Sequence, residues 1–206
     1  MKVDYLVTAD EMKEYDSNTI NRIGIPGMVL MERAALAALE FILSKRKRGT
    51  ALILAGMGNN GGDGLALARL LSEEGWQVEV WLVGNPEKAT GQWNAQRHVL
   101  ESYPVKFSSN PGRNEYTIMV DALFGVGLSG EVSGEYGQAI ERFQETEGFK
   151  LALDIPSGID SDTGKVWGTA VRADATVTFG FRKRGLGLFP GCEYAGEVIL
   201  SRIGIT

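Results

Sequence analysis

An apolar run, Thr50-Ala51-Leu52-Ile53-Leu54-Ala55, leads into Gly56-Met57-Gly58-Asn59-Asn60-Gly61-Gly62-Asp63-Gly64. A helical pattern follows, Leu65-Ala66-Leu67-Ala68-Arg69-Leu70-Leu71. Strand, glycine-rich turn and helix, in that order, make such a loop a candidate phosphate seat rather than a plain turn. Five glycines in nine residues permit positive φ and close approach of backbone. Unpaired N–H groups at the start of the helix favour an anion there.

Working outward, the apolar positions alternate between strand and helix periods. Strands are expected at 50–55, 77–83, 105–108, 116–120, 151–153, 174–179 and 197–201, and helices at 62–74, 87–102 and 134–147. Two further helices precede the first strand. One starts at a capping box of Thr8 and Glu11, runs to about Arg22 and ends at Gly24; the other runs from Met28 to about Lys45. They form an N-terminal extension outside the βαβ pattern, with Met28, Leu30 and Met31 read as core positions. Strand–helix alternation predicts an α/β fold with a mainly parallel sheet covered on both faces. No repeat, low-complexity tract or linker divides the chain, so residues 1–206 are expected to form one domain.

Composition narrows the function. With 21 basic and 26 acidic residues the formal charge is −5, which leaves no general footprint for nucleic acid. The one dense basic run, Lys45-Arg46-Lys47-Arg48, reads as a solvated helix end. A lone cysteine, Cys192, excludes an internal disulfide and a cysteine-based zinc site, and is read as structural. The start, Met1-Lys2-Val3-Asp4-Tyr5-Leu6, has no apolar leader core, and no run is long enough to span a membrane. The cytoplasm is the expected compartment.

In open α/β sheets, ligands bind outside the carboxyl ends of the strands. The first strand delivers Asn59, Asn60 and Asp63. The strand ending at Val120 delivers Asp121 and a Gly125-Val126-Gly127-Leu128 turn. The strand ending at Leu153 delivers Asp154 and the Pro156-Ser157-Gly158 turn. Asn60, Asp121 and Ser157 offer an amide oxygen, a carboxylate and a hydroxyl. That hard-oxygen set suits K⁺, Mg²⁺ or Ca²⁺, and a single carboxylate favours a monovalent ion. The alternative is that these groups only tie the loops together. Asp154, leaving a buried strand beside a tight turn, is the first candidate for proton transfer. Asp63 is the second and Asp121 the third if no cation holds it. His98, mid-helix, reads as a surface or packing residue. Lys183 reads either as a ligand-phosphate contact or as a solvated loop lysine.

The spacing of Gly56, Gly58 and Gly61 matches the dinucleotide fingerprint G-x-G-x-x-G. In a conventional dehydrogenase an acid about 20 residues on would bind the ribose. Leu82-Val83-Gly84-Asn85 stands there instead, without a carboxylate. The standard dehydrogenase reading is thereby weakened.

Taken together, Asn59-Asn60-Gly61-Gly62-Asp63-Gly64, Asp121-Ala122-Leu123-Phe124-Gly125 and Asp154-Ile155-Pro156-Ser157-Gly158 resemble the YjeF N-terminal domain family, the NAD(P)H-hydrate epimerases. Leu30-Met31-Glu32-Arg33-Ala34 and Gly185-Leu186 through Pro190-Gly191 are also similar to that family. The resemblance implies a Rossmann-like three-layer α/β/α sandwich with extra N-terminal helices, commonly a homodimer. It implies interconversion of the R and S forms of hydrated NADH and NADPH, a repair reaction. It would place the damaged dinucleotide on Asn59, Asn60, Gly61, Gly62, Asp63, on Gly125, Val126, Gly127, Leu128, Ser129, Gly130, Glu131, and on Asp154. It would place K⁺ on Asn60, Asp121 and Ser157. Asp154 would be the catalytic acid–base, moving one proton on and off the hydroxyl at C6. In many relatives a dehydratase domain follows, so a fused or separate dehydratase is the expected partner. Some members keep the fold as a scaffold in mRNA decapping or lipoprotein binding. A scaffold and an NAD(P)-dependent oxidoreductase are therefore the two alternatives.

Overall fold

The computed structural model describes residues 5–206; residues 1–4, part of the stretch searched for a leader, lie outside the described residues. The strands are β1 (Leu6–Val7), β2 (Thr50–Ala55), β3 (Gln77–Leu82), β4 (Lys106–Ser108), β5 (Glu115–Ala122), β6 (Glu147–Leu153), β7 (Ala175–Phe179), β8 (Arg182–Lys183) and β9 (Glu197–Ser201). The helices are α1 (Ala9–Ser17), α2 (Gly27–Lys45), α3 (Asn59–Glu73), α4 (Gly91–Leu100) and α5 (Gly134–Glu145). Seven strands form one parallel sheet in the order β4-β3-β2-β5-β6-β7-β9. The chain grows outward from β2 in one direction through β3 and β4, then returns and grows the other way from β5. The switch point lies between β2 and β5, and parallel pairing puts the carboxyl ends of β2, β5 and β6 side by side.

Side chains alternate across a strand. Ala51, Ile53 and Ala55 of β2 therefore face α2, α3 and α4, whereas Leu52 and Leu54 face α5. Helix α3 is the central packing element: Leu65, Leu67 and Leu71 are all fully buried. Each buried leucine stabilises by about 1.5–3 kcal/mol, so the glycine loop is mounted on one of the most firmly held parts of the fold. Leu30 and Met31 of α2 are buried in the same core, and Met28 packs against it, as the periodicity predicts. The two N-terminal helices are thus integral to the core and the cleft rather than peripheral.

Several expected boundaries move. Helix α3 begins at Asn59, not Gly62, because the loop's Asn59 through Gly62 already form its first turn behind Gly58. A Cβ on Gly61 would stand 1.9 Å from the Gly56 carbonyl oxygen, so only glycine lets the turn close this tightly. The expected helix 87–102 is split. Asn85 accepts from Glu87 N–H and caps a short 3₁₀ turn, Pro86–Lys88; Thr90, in extended conformation, then caps α4 through the N–H of Trp93. Strand β5 continues to Ala122, so Asp121 lies inside it, and β6 starts at Glu147 because its ladder with β5 begins there. Helix α1 stops at Ser17 and continues as a π-helical turn, Asn18–Ile23, closed by left-handed Gly24. The capping box is present in full: Thr8 Oγ1 accepts from Glu11 N–H at 3.2 Å, and Glu11 Oε2 accepts from Thr8 N–H at 2.8 Å. The short pair β1–β8, aligning Val7 with Lys183, carries too few residues to show in the apolar pattern.

Candidate functional site

A cleft of about 560 Å³ opens at the switch point. That volume lies in the range of small-molecule sites. Its floor is the start of α3 (Gly58, Asn59, Asn60, Asp63) and the loop after β5 (Leu123 through Leu128). Asp154 at the end of β6 and Phe179 at the end of β7 extend it. Met12 and Asp16 of α1, Leu30 and Met31 of α2, and Ile203 and Ile205 near the C-terminus form the opposite wall. Lys88 and Thr90 border it on the β3 side.

Directly behind the floor lies a buried, hydrogen-bonded acid. Asp121 is fully buried. Its Oδ1 accepts from Ser157 Oγ at 2.6 Å and Leu123 N–H at 3.2 Å, and its Oδ2 accepts from Ser157 N–H at 2.7 Å. Burial pushes its carboxyl up to about 6, against the pull of those hydrogen bonds. Ser157 Oγ in turn accepts from Phe124 N–H at 2.9 Å. Asn60 donates through Nδ2 to the Phe124 carbonyl at 2.8 Å, while its Oδ1 is buried without a hydrogen-bond partner. An orphaned amide oxygen beside a carbonyl, a hydroxyl and one carboxylate fits a weakly charged, oxygen-preferring cation better than zinc. Among the described residues no cluster of three His, Cys, Asp or Glu side chains is poised for a metal.

Among the charged groups that line the cleft, Asp16, Asp63, Asp154 and Lys183 lie close enough to act on one another. Asp154 has φ of +70°, the one described non-glycine residue with positive φ. Left-handed backbone costs an L-residue about 1–2 kcal/mol, and such strain concentrates at functional sites. The turn carries the Asp154 side chain back against β7, where Oδ1 accepts from Phe179 N–H at 3.2 Å and from the Lys183 ammonium. Burial raises Asp63 well above the ordinary carboxyl range; the nearby Asp154 and Asp16 add to this and Lys183 opposes it. Asp63 therefore favours its neutral form. Asp16 is raised to about 6, first by burial and then by Asp154. A carboxyl group raised by burial and one gripped by a lysine thus share one cleft, two unlike environments of the kind that can separate acid from base.

Of the residues singled out in the sequence, Asn59, Asn60, Asp63, Gly125, Val126, Gly127, Leu128 and Asp154 line the cleft. Gly61 and Gly62 lie beneath it, packed on Gly56 and Met31. Ser129, Gly130 and Glu131 are exposed and outside its lining. Two readings need correction. Lys183 is not a solvated loop lysine, since its side chain is 1% exposed. Cys192 is exposed rather than buried, so it has no packing role. His98 is a surface residue 3.5 Å from Glu101. Asp16 escaped notice because an acid on an amphipathic helix has the pattern of a solvated face. Only the docking of α1 brings it inward. Thr178, buried with Thr176 in β7, was the available signal for the Asp154–Lys183 pair.

The model of the YjeF-related protein N-terminus family matches residues 27–185. The chain is 45% identical over 201 residues to a Limosilactobacillus reuteri protein named NAD(P)H-hydrate epimerase, covering 96% of this chain and 95% of that one. A Lentilactobacillus buchneri protein of the same name is 43% identical, with 97% and 94% covered. One from Oenococcus oeni is 41% identical, with 97% and 96% covered. Among solved structures, the yeast protein ynu0 shares the fold with a TM-score of 0.78 at 22% identity, over 96% of this chain and 88% of that one.

Proposed function

We propose that this protein, which belongs to the YjeF-related N-terminal family, is an NAD(P)H-hydrate epimerase, an isomerase that interconverts the R and S forms of hydrated NADH and NADPH. The observation that carries the reading is the meeting of Asp154, paired to Lys183, and Asp63, whose carboxyl is raised by burial, beside a glycine-rich helix start in one cleft. The α3 N-terminus, with Asn59 through Asp63, would seat phosphate. Leu123 through Leu128 would bound the nicotinamide side, with Ser129, Gly130 and Glu131 able to reach the ligand only if the loop moves. No acid stands at the end of β3, at residues 82–85, which fits a glycine loop serving a dinucleotide bound as substrate; nothing in the cleft favours the oxidoreductase alternative, and the acid-lined cleft argues against a bare scaffold.

The reacting carbon, C6, carries a hydroxyl next to the ring nitrogen. Ring opening transfers the hydroxyl proton to a base, forms the C6 carbonyl and leaves the C6–N bond pair on nitrogen, which takes a proton. Reclosure on the other face inverts C6. The iminium route instead protonates the departing hydroxyl and adds water to the other face. Asp154 as base and neutral Asp63 as acid can serve both routes, an acid–base contribution of about 10²–10⁴ in rate.

Asn60, Asp121, Ser157 and the Phe124 carbonyl would hold K⁺, which when bound supplies positive charge beside the buried Asp121 and fixes the floor loop. This chain's part is the oxygen set itself, with Asn60 Oδ1 as its open ligand. A homodimer would cover the exposed Val29, Leu36 and Leu43, which repeat every seven residues on α2. A cytoplasmic setting and a dehydratase partner suit a nucleotide-repair role. No helix among the described residues is long and apolar enough to cross a membrane. The test is incubation with pure S-form hydrate, with and without K⁺. Appearance of the R form above the uncatalysed rate is expected, and its absence in both conditions would overturn the reading.

A further inference from the structure

We infer that Lys183 is a positioning residue of the epimerisation reaction: its ammonium grips Oδ1 of Asp154 and leaves Oδ2 turned to the substrate. This rests on the epimerase reading. A lysine ammonium has three protons and no acceptor. Here they meet three acceptors: Asp154 Oδ1, the Phe179 carbonyl at 2.7 Å and Thr178 Oγ1 at 3.2 Å. With every donor spent and 1% of its side chain exposed, Lys183 has nothing left for a phosphate, so it acts on Asp154 rather than on a ligand. Three donors converge on Oδ1: Lys183, Phe179 N–H at 3.2 Å and Thr178 Oγ1 at 3.4 Å. No described residue donates to Oδ2. That oxygen faces the floor loop, where a Cβ at Gly125 would stand 3.8 Å away.

The lysine is itself held from both sides. Left-handed Gly180 turns the chain back after β7, and β1 pairs Val7 with Lys183. The N-terminal strand therefore sets the register of the lysine that aims the acid. A purely stabilising role is a poor explanation, because a buried ion pair contributes little beyond what an apolar replacement would. Fixing one carboxylate oxygen so that the other meets the reacting hydroxyl is what a proton-transfer site requires.

The experiment measures epimerisation of S-form hydrate by wild type, Lys183→Met, Lys183→Arg, Asp154→Asn and the double variant Lys183→Met/Asp154→Asn, with NADPH titration and circular dichroism on each. For Lys183→Met, kcat should fall by about 100-fold while KM and NADPH affinity change by less than about threefold. Arg should restore part of kcat. The double variant should lose little more than Asp154→Asn alone, because the two act as a unit. A Lys183→Met enzyme with wild-type kcat, or losses that multiply in the double variant, would overturn the role. A wild type that does not epimerise would instead sink the epimerase reading. If Lys183→Met does not fold, Lys183→Gln replaces it, with the same loss expected and wild-type kcat overturning the role. Nitrogen-15 NMR of the wild type stands apart from all variants. A slowly exchanging Nζ ammonium is expected, and a freely exchanging one contradicts the grip.

Discussion

Potassium should stabilise this protein at high pH and much less at low pH, and Asp121 sets the size of the effect. Its folded carboxyl is raised from 3.8 to about 6 by burial. A raised folded value means that the favourable contribution is full below the unfolded value, near pH 4, and is lost as pH climbs through about 6. Ionising Asp121 above that point costs roughly 2 units, or about 3 kcal/mol. A cation seated on Asn60 Oδ1, Asp121, Ser157 and the Phe124 carbonyl would stabilise by RT ln(1 + [K⁺]/Kd), and an affinity that just offset the cost would return about 3 kcal/mol. For a chain of this size about 3 kcal/mol corresponds to a rise in Tm of roughly 6–12 °C. At pH 5 about nine-tenths of the folded Asp121 is protonated and competes with the cation, so the apparent K⁺ affinity should be about tenfold weaker than at pH 8. The assay is thermal unfolding at pH 5 and pH 8 in K⁺ or tetramethylammonium at equal ionic strength, repeated on Asp121→Asn. Asp16 and Asp63 also titrate, and comparing cations at fixed pH removes their contribution. A K⁺ shift equal at both pH values, or one that persists in Asp121→Asn, refutes the placement of the ion.

Asp154→Asn should lower kcat by about 10²–10⁴ with NADPH binding retained; steady-state epimerisation beside a binding titration checks it. If the Lys183-paired Asp154 acts first as a base, ring opening keeps the original oxygen, so substrate labelled with oxygen-18 at C6 should epimerise without losing label to water, and mass spectrometry reads the outcome. Gly61→Ala should destabilise by about 1–3 kcal/mol or more, since its Cβ would meet the Gly56 carbonyl oxygen at 1.9 Å; urea unfolding measures the loss. Thr8→Ala removes the α1 cap and should cost about 1 kcal/mol, visible as a lower Tm.

The seven-stranded sheet and its helices were legible because each element carries its own period: Leu52 and Leu54 against Ala51, Ile53 and Ala55 announce a two-faced strand before any partner is known. The polar residues gathered around the cleft were legible for a related reason, since a parallel sheet sends every strand end to one edge, and Asn60, Asp121 and Asp154 stand at or just past such ends. Boundaries were less legible where a cap outweighed the apolar pattern, as at Thr90, or where the glycine turn was already helical, as at Asn59. Asp16 could not be read at all, and Lys183 could be read only as a ligand contact or a solvated lysine. Their roles depend on contacts between residues far apart in the chain, and polar side chains on a helix face or after a strand are ordinarily solvated.

The sequence by itself determined that a glycine-rich loop starts a central helix, and that acids follow the neighbouring strands. Local propensity and strand order are sufficient for that. Only the tertiary structure decided what those acids are: Asp121 buried and hydrogen-bonded behind the floor, Asp63 desolvated beside other carboxylates, and Asp154 clamped by a lysine whose place is set by the N-terminal strand. Charge state and direction depend on burial and on partners brought from a distance, and neither is a property of the sequence around a residue.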